Sequence, residues 1–103
     1  MLEKLNLGSF SEHLNTKFRA CAGGDKTVEL ELVEVSDSGS NARQERFALL
    51  FRGPLDDALG QGSCRMEHDK LGAFDLFIVP VGIGETGRDY EAIFNRLLRP
   101  PRD

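Results

Sequence analysis

Hydrophobic and polar positions alternate along much of this chain, and the places where the alternation breaks are informative. In "KTVELELVEV", Val28, Leu30 and Leu32 alternate with Glu29 and Glu31, the period-2 pattern of a half-buried strand. The doublet Leu32-Val33 interrupts that pattern and predicts a bulge. "RQERFALLFRGP" sets Phe47, Leu49 and Phe51 on one face and stops at Gly53-Pro54. "SCRMEH" sets Cys64, Met66 and His68 on one face and Ser63, Arg65 and Glu67 on the other. The "DKLG" that follows reads as a turn closed by a glycine able to take positive φ. "FDLFIVPV" is different. Phe74, Leu76 and Ile78 share one face, but Phe77, Val79 and Val81 occupy the other, where only Asp75 is polar. A strand apolar on both sides must be covered on both or meet a partner. Pro80 cannot donate to a ladder, so that end is expected at an edge or a bulge.

Two segments follow other rules. In "LGSFSEHLN", Ser9 and Glu12 have the spacing of a capping box, and Phe10 and Leu14 share one face of a short helix over 9–15. In "RDYEAIFNRLL", Tyr90, Ile93, Phe94, Leu97 and Leu98 suit a helix, whereas Tyr90, Ala92 and Phe94 suit a strand paired with 74–81. The pattern alone leaves both open. "LDDALGQG" is a connector with room for one helical turn.

Composition narrows the class. A chain of 103 residues, 40% hydrophobic and 29% charged, is the size and balance of one soluble domain able to bury a single core. Its 13 basic residues are dispersed among 17 acidic ones for a net charge of −4, which argues against nucleic acid and anionic membranes as partners. "MLEKLNLGSFSEHLNTKF" lacks the unbroken apolar stretch of a signal peptide, and no run approaches a membrane span. The expectation is a cytoplasmic protein with Cys21 and Cys64 reduced, two buried thiols, with a disulfide between them as the alternative.

Candidate chemistry is thin. Gly82-Ile83-Gly84-Glu85-Thr86-Gly87 is a G-x-G-x-x-G between an apolar run and an amphipathic one. A dinucleotide fold would require a further strand and an acidic residue about 20 positions on, and only 16 residues follow Gly87. A glycine-rich hairpin loop explains the motif better, and no cofactor is expected. Cys21, Cys64, His68 and His13 lack the close cysteine pair that announces zinc, and no metal is expected. Neither cysteine sits in an activating context beside His68, so a nucleophile and base pair is not supported. His68 stands just before a turn, a place where histidines satisfy backbone groups. Asp56-Asp57 suits the first turn of a helix, and Glu29, Glu31 and Glu34 read as a solvated face. No catalytic residue is assigned.

The series "FALLFRGP", "CRMEH", "LGAFDLFIVPVG" and "YEAIFN", with the opening "MLEKLNLGSFSEHLNTKF", resembles a small bacterial domain family of unknown function over roughly residues 2–95. The resemblance implies stand-alone proteins, some encoded near phage-tail-collar proteins of the microcystin-dependent type. It also implies a closing strand at "YEAIFN". With that, the expected architecture is all-β: an antiparallel, mostly meandering sheet of six strands curled into a small barrel. The strands are expected near 17–22, 26–36, 43–53, 62–69, 73–82 and 88–96. The helix closes one end, and 96–103 form a tail. Phe77, Val79 and Val81 then lie beneath the helix or on a protein partner or second copy. The alternative is a small-ligand barrel or enzyme, with Cys64, Met66 and His68 at a pocket mouth.

Overall fold

In a computed structural model the chain is described over residues 7–21, 26–37, 39, 44–55, 59–84 and 86–97. One helix, α1 (Leu7–Glu12), precedes six strands: β1 (Lys17–Cys21), β2 (Thr27–Asp37), β3 (Gln44–Gly53), β4 (Gly62–His68), β5 (Gly72–Ile83) and β6 (Arg88–Leu97). All neighbours are antiparallel, and the ring closes in the order β1-β2-β3-β6-β5-β4. The expected six-stranded barrel is therefore present, with strand limits within a residue or two of the alternation. Its path departs from a plain meander at two places. β3 pairs with β6 along its whole length, and β4 returns to β1 through Arg19↔Glu67, Ala20↔Met66 and Cys21↔Arg65. The segment 88–97 is a strand, one residue longer than the expected 88–96 and running into the expected 96–103 tail, of which 98–103 lie outside the described residues.

The inward row is the one the alternation selects. Phe18 and Ala20, Val28, Leu30 and Leu32, Phe47, Leu49 and Phe51, Cys64 and Met66, Leu76 and Ile78, and Tyr90 and Ala92 are all buried in one core. Strand β2 keeps its charge outside by a bulge. The register with β3 shifts between Leu32 and Glu34, so Val33 is the extra residue. Glu34 then faces solvent, and Val35, opposite Leu49, packs on the core. A second shift between Pro80 and Gly82 accommodates the proline that cannot donate.

Each end of the barrel has a plug. At one end Phe10 of α1 is wholly buried among rings, 5.8–6.3 Å from those of Phe18, Phe47, Phe74 and Phe94. The helix starts by Leu7, so Ser9 lies inside it and does not act as its cap. It also ends earlier than expected, at Glu12, and Leu14 sits in the following turn, 40% exposed, rather than on a shared face with Phe10. Asn15, at φ 69°, takes the left-handed conformation that releases the chain from the helix. Its N–H then donates to the Leu32 carbonyl at 2.7 Å, and the Leu32 N–H donates to the Thr16 carbonyl at 3.1 Å. At the other end Leu59, 6% exposed, drops into the barrel, and its backbone N–H donates to the Tyr90 hydroxyl at 2.9 Å. The helical turn considered for "LDDALGQG" falls on 56–58, outside the described residues.

Candidate functional site

The glycine motif resolves into the end of β5, with Gly82 and Ile83, and a hairpin loop leading to β6. Gly84 N–H donates to the Gly87 carbonyl at 2.8 Å, closing the loop. A Cβ on Gly87 would stand 2.5 Å from the Gly53 carbonyl oxygen and 2.7 Å from Arg52 Cγ. Gly87 is thus glycine because the chain passes against β3, and no helix follows to receive a phosphate.

Cys64, Met66 and His68 all point into the barrel, at successive heights along β4, and they do not converge on one pocket. Met66 is fully enclosed. Cys64, 7% exposed, lines a recess of about 190 Å³ with Leu59, Gly60, Gln61, Gly62, Ser63 and Ile78. Its Sγ donates weakly to the Cys21 carbonyl at 3.5 Å, and burial, with Cys21 and Asp75 adding to it, pushes its thiol pKa up. Cys21 follows inward-facing Ala20 and projects to the opposite face from Cys64, and both thiols are free.

His68 sits at the helix end. Its Nδ1 accepts the backbone N–H groups of Lys70 at 3.0 Å and Leu71 at 3.2 Å. Its Nε2 lies 3.0 Å from Thr16 Oγ1, which donates to the His13 carbonyl at 2.6 Å. An Nδ1 occupied by two donors carries no proton, so the ring is the neutral Nε2–H form, donating to Thr16. The His13 ring lies 4.6 Å away and that of Phe18 4.4 Å. These contacts account for every polar atom of the imidazole.

The outer face of the barrel is mostly charged and self-paired. Lys17 meets Glu31 at 3.8 Å, Arg19 meets Asp69 at 3.1 Å and Glu67 at 3.7 Å, and Arg52 meets its cross-strand partner Asp89 at 2.9 Å. A groove of about 490 Å³ over β2 and β3 is lined by Lys17, Glu31 and Arg52, whose charges are already paired, and by Glu29.

Strands β5 and β6 break this rule. Phe77 is 53% exposed, Val81 51%, Ile83 67% and Ile93 59%, and Val79 is half-buried between them. Phe77 and Val79 alternate with inward Leu76 and Ile78. Ile93 lies on the same outer side of β6, two residues beyond Glu91, which pairs with Val79. Helix α1 does not cover this row: its buried side chain, Phe10, goes into the barrel end. Beyond Val79 the bulge between Pro80 and Gly82 ends this outer row: Ile83 pairs with Arg88, on the side of Tyr90, and with Val81 borders a depression of about 450 Å³ at the Leu59 end of the barrel that also takes in Leu59, Pro80, Gly82, Arg88 and Tyr90. The Arg88 Nε there donates to the Leu55 carbonyl at 2.7 Å. Periodicity named Phe77, Val79 and Val81; Ile93 was missed because its segment admitted a helical reading.

The fold and surface define a small closed antiparallel β-barrel, plugged at both ends, with most of its exposed large hydrophobic side chains on β5 and β6. The chain belongs to a family described as Domain of unknown function (DUF6916), whose family model matches residues 5–94. No curated protein and no solved structure is significantly similar to it. No helix among the described residues is long and apolar enough to cross a membrane.

Proposed function

We propose that this domain is a non-enzymatic interaction protein that meets a protein partner, or a second copy of itself, through the outer face of β5 and β6. The observation that carries this reading is the outer row Phe77, Val79 and Ile93, continued at the adjoining barrel end by exposed Val81 and Ile83 beyond the β5 bulge, on an exterior that is mostly charged. Burying each such side chain is worth about 1.5–3 kcal/mol, and the adjoining depression offers an anchor point for a partner side chain. The motif resemblance adds the setting, a bacterial accessory to a tail-fibre-like assembly, and the absence of an apolar leader-like stretch adds the cytoplasm.

The test is the double substitution Phe77→Ser and Ile93→Ser, chosen because both side chains are more than half exposed. Sedimentation velocity over a concentration series reads self-association, and affinity capture with wild-type and variant protein reads partners. The expected result is a variant with wild-type melting behaviour and association weakened roughly tenfold or more. A variant that unfolds, or that keeps every contact of the wild type, overturns the reading.

A further inference from the structure

The hydrogen bonds around His68 form one continuous line between parts of the chain far apart in sequence. The line runs from the backbone of Lys70 and Leu71 in the β4–β5 turn, through the imidazole, to Thr16 Oγ1 and the carbonyl of His13 just after α1. His68 and Thr16 are 52 residues apart. The helix held by this line is short, only six residues, too short to be stable on its own. It is kept in place by Phe10 in the barrel mouth and by the turn that follows it.

We propose that this line is an acid-sensitive latch: a proton on His68 releases α1 and draws the Phe10 plug from the aromatic end of the barrel. The free site for that proton is Nδ1, where two backbone N–H groups already point. Protonation therefore removes two acceptor bonds at once and leaves the Lys70 and Leu71 donors facing a third N–H. It also places a cation in a site only 6% exposed, with the His13 ring 4.6 Å away.

Four charged or titratable groups face the ring from the elements around it. His13 after the helix, Arg19 on β1 and Lys70 in the turn oppose a positive charge, and Asp69 in the turn favours it. Asp69 is already engaged by Arg19 at 3.1 Å, which weakens its help. The Phe18 ring at 4.4 Å offers some attraction to a cation, but its 43° tilt to the imidazole spoils the stacking. Burial first, and His13 next, hold the His68 pKa below its ordinary value. The sign follows. The unfolded or unlatched chain takes up the proton at the ordinary histidine value near ~6.5, the latched form only at lower pH. The latch is thus at full strength above that ordinary value and is lost as pH falls through the window beneath it.

Hydrogen exchange followed residue by residue from pH 7.5 to 5, corrected for intrinsic rates, tests this on the full chain. The expected result is at least a tenfold loss of protection at Phe10–Thr16 and at Lys70 and Leu71, while the β3–β6 ladder keeps its protection. His68→Asn keeps a side-chain oxygen near the Nδ1 position but cannot be protonated, so its helix protection should no longer change with pH. Should that variant fail to fold, the imidazole ¹⁵N shifts of the wild type decide: the loss of protection must coincide with protonation of His68 Nδ1. Helix protection that stays flat across the range overturns the latch. So does a transition that follows His13 titration and disappears in His13→Gln, with His68 still neutral.

Discussion

Single atoms decide several features of this barrel. Gly87 is an example: a methyl group there would stand 2.5 Å from the Gly53 carbonyl oxygen and 2.7 Å from the Arg52 side chain. One of those obstacles is backbone and cannot swing aside. Gly87→Ala should therefore cost about 1–3 kcal/mol of overpacking, read as a fall in the urea midpoint with unchanged slope. The other glycines of the motif make a useful contrast, since a Cβ on Gly82 meets nothing within 4 Å and Gly82→Ala should be close to neutral by that measure. Gly84 and Gly87 were legible in sequence as hairpin-loop residues, whereas Gly82 lies inside β5 beside its bulge. The closeness of Gly87 to β3 was not legible, because it depends on Gly53 and Arg88 being paired. The His68 partners were hidden for the same reason: the turn position suggested backbone contacts, but nothing in the local pattern points to Thr16 or His13.

At the scale of the element, β2 shows how a broken alternation is repaired. Counting by twos from Leu32 would turn Glu34 inward and Val35 outward, and the bulge at Val33 reverses both. The exchange Glu34→Val with Val35→Glu distinguishes the two registers. In a regular strand it would restore an apolar inner row. In the bulged strand it drives a carboxylate against Leu49 and should cost about 2 kcal/mol or more, seen as a lowered denaturation midpoint. The strands themselves were legible to within a residue or two, since one buried face imposes period 2 wherever it occurs. The order of the strands was not. Hairpin neighbours follow from short turns, but the β3–β6 and β1–β4 pairings join segments separated by more than thirty residues and leave no local mark. The helix was legible as a helix and misplaced by its cap, because Ser9 and Glu12 have the right spacing whether or not the helix has already begun.

For the whole molecule, topology sets the pace of folding. The ring closes only when β4 finds β1 and when β6 finds β3, and each step brings together distant parts of the chain. Loop-closure entropy is spent before those contacts form, so refolding from urea should occupy milliseconds to seconds. Stopped-flow far-UV measurements check this, and complete recovery within microseconds would contradict it. Both plugs must also dock, and neither Phe10 nor Leu59 has a place to go until the barrel mouth exists.

The closed ring has one more consequence. A sheet with open sides can recruit any extended chain through its backbone, with little regard for sequence. This one closes its ring of strands on itself, so under the proposed function a partner would be recognised mainly through side chains. Phe77, Val81, Ile83 and Ile93 lie outside the core, so the interior does not dictate their identities. Under the proposed function, the same scaffold would therefore accept a different partner once those side chains are changed.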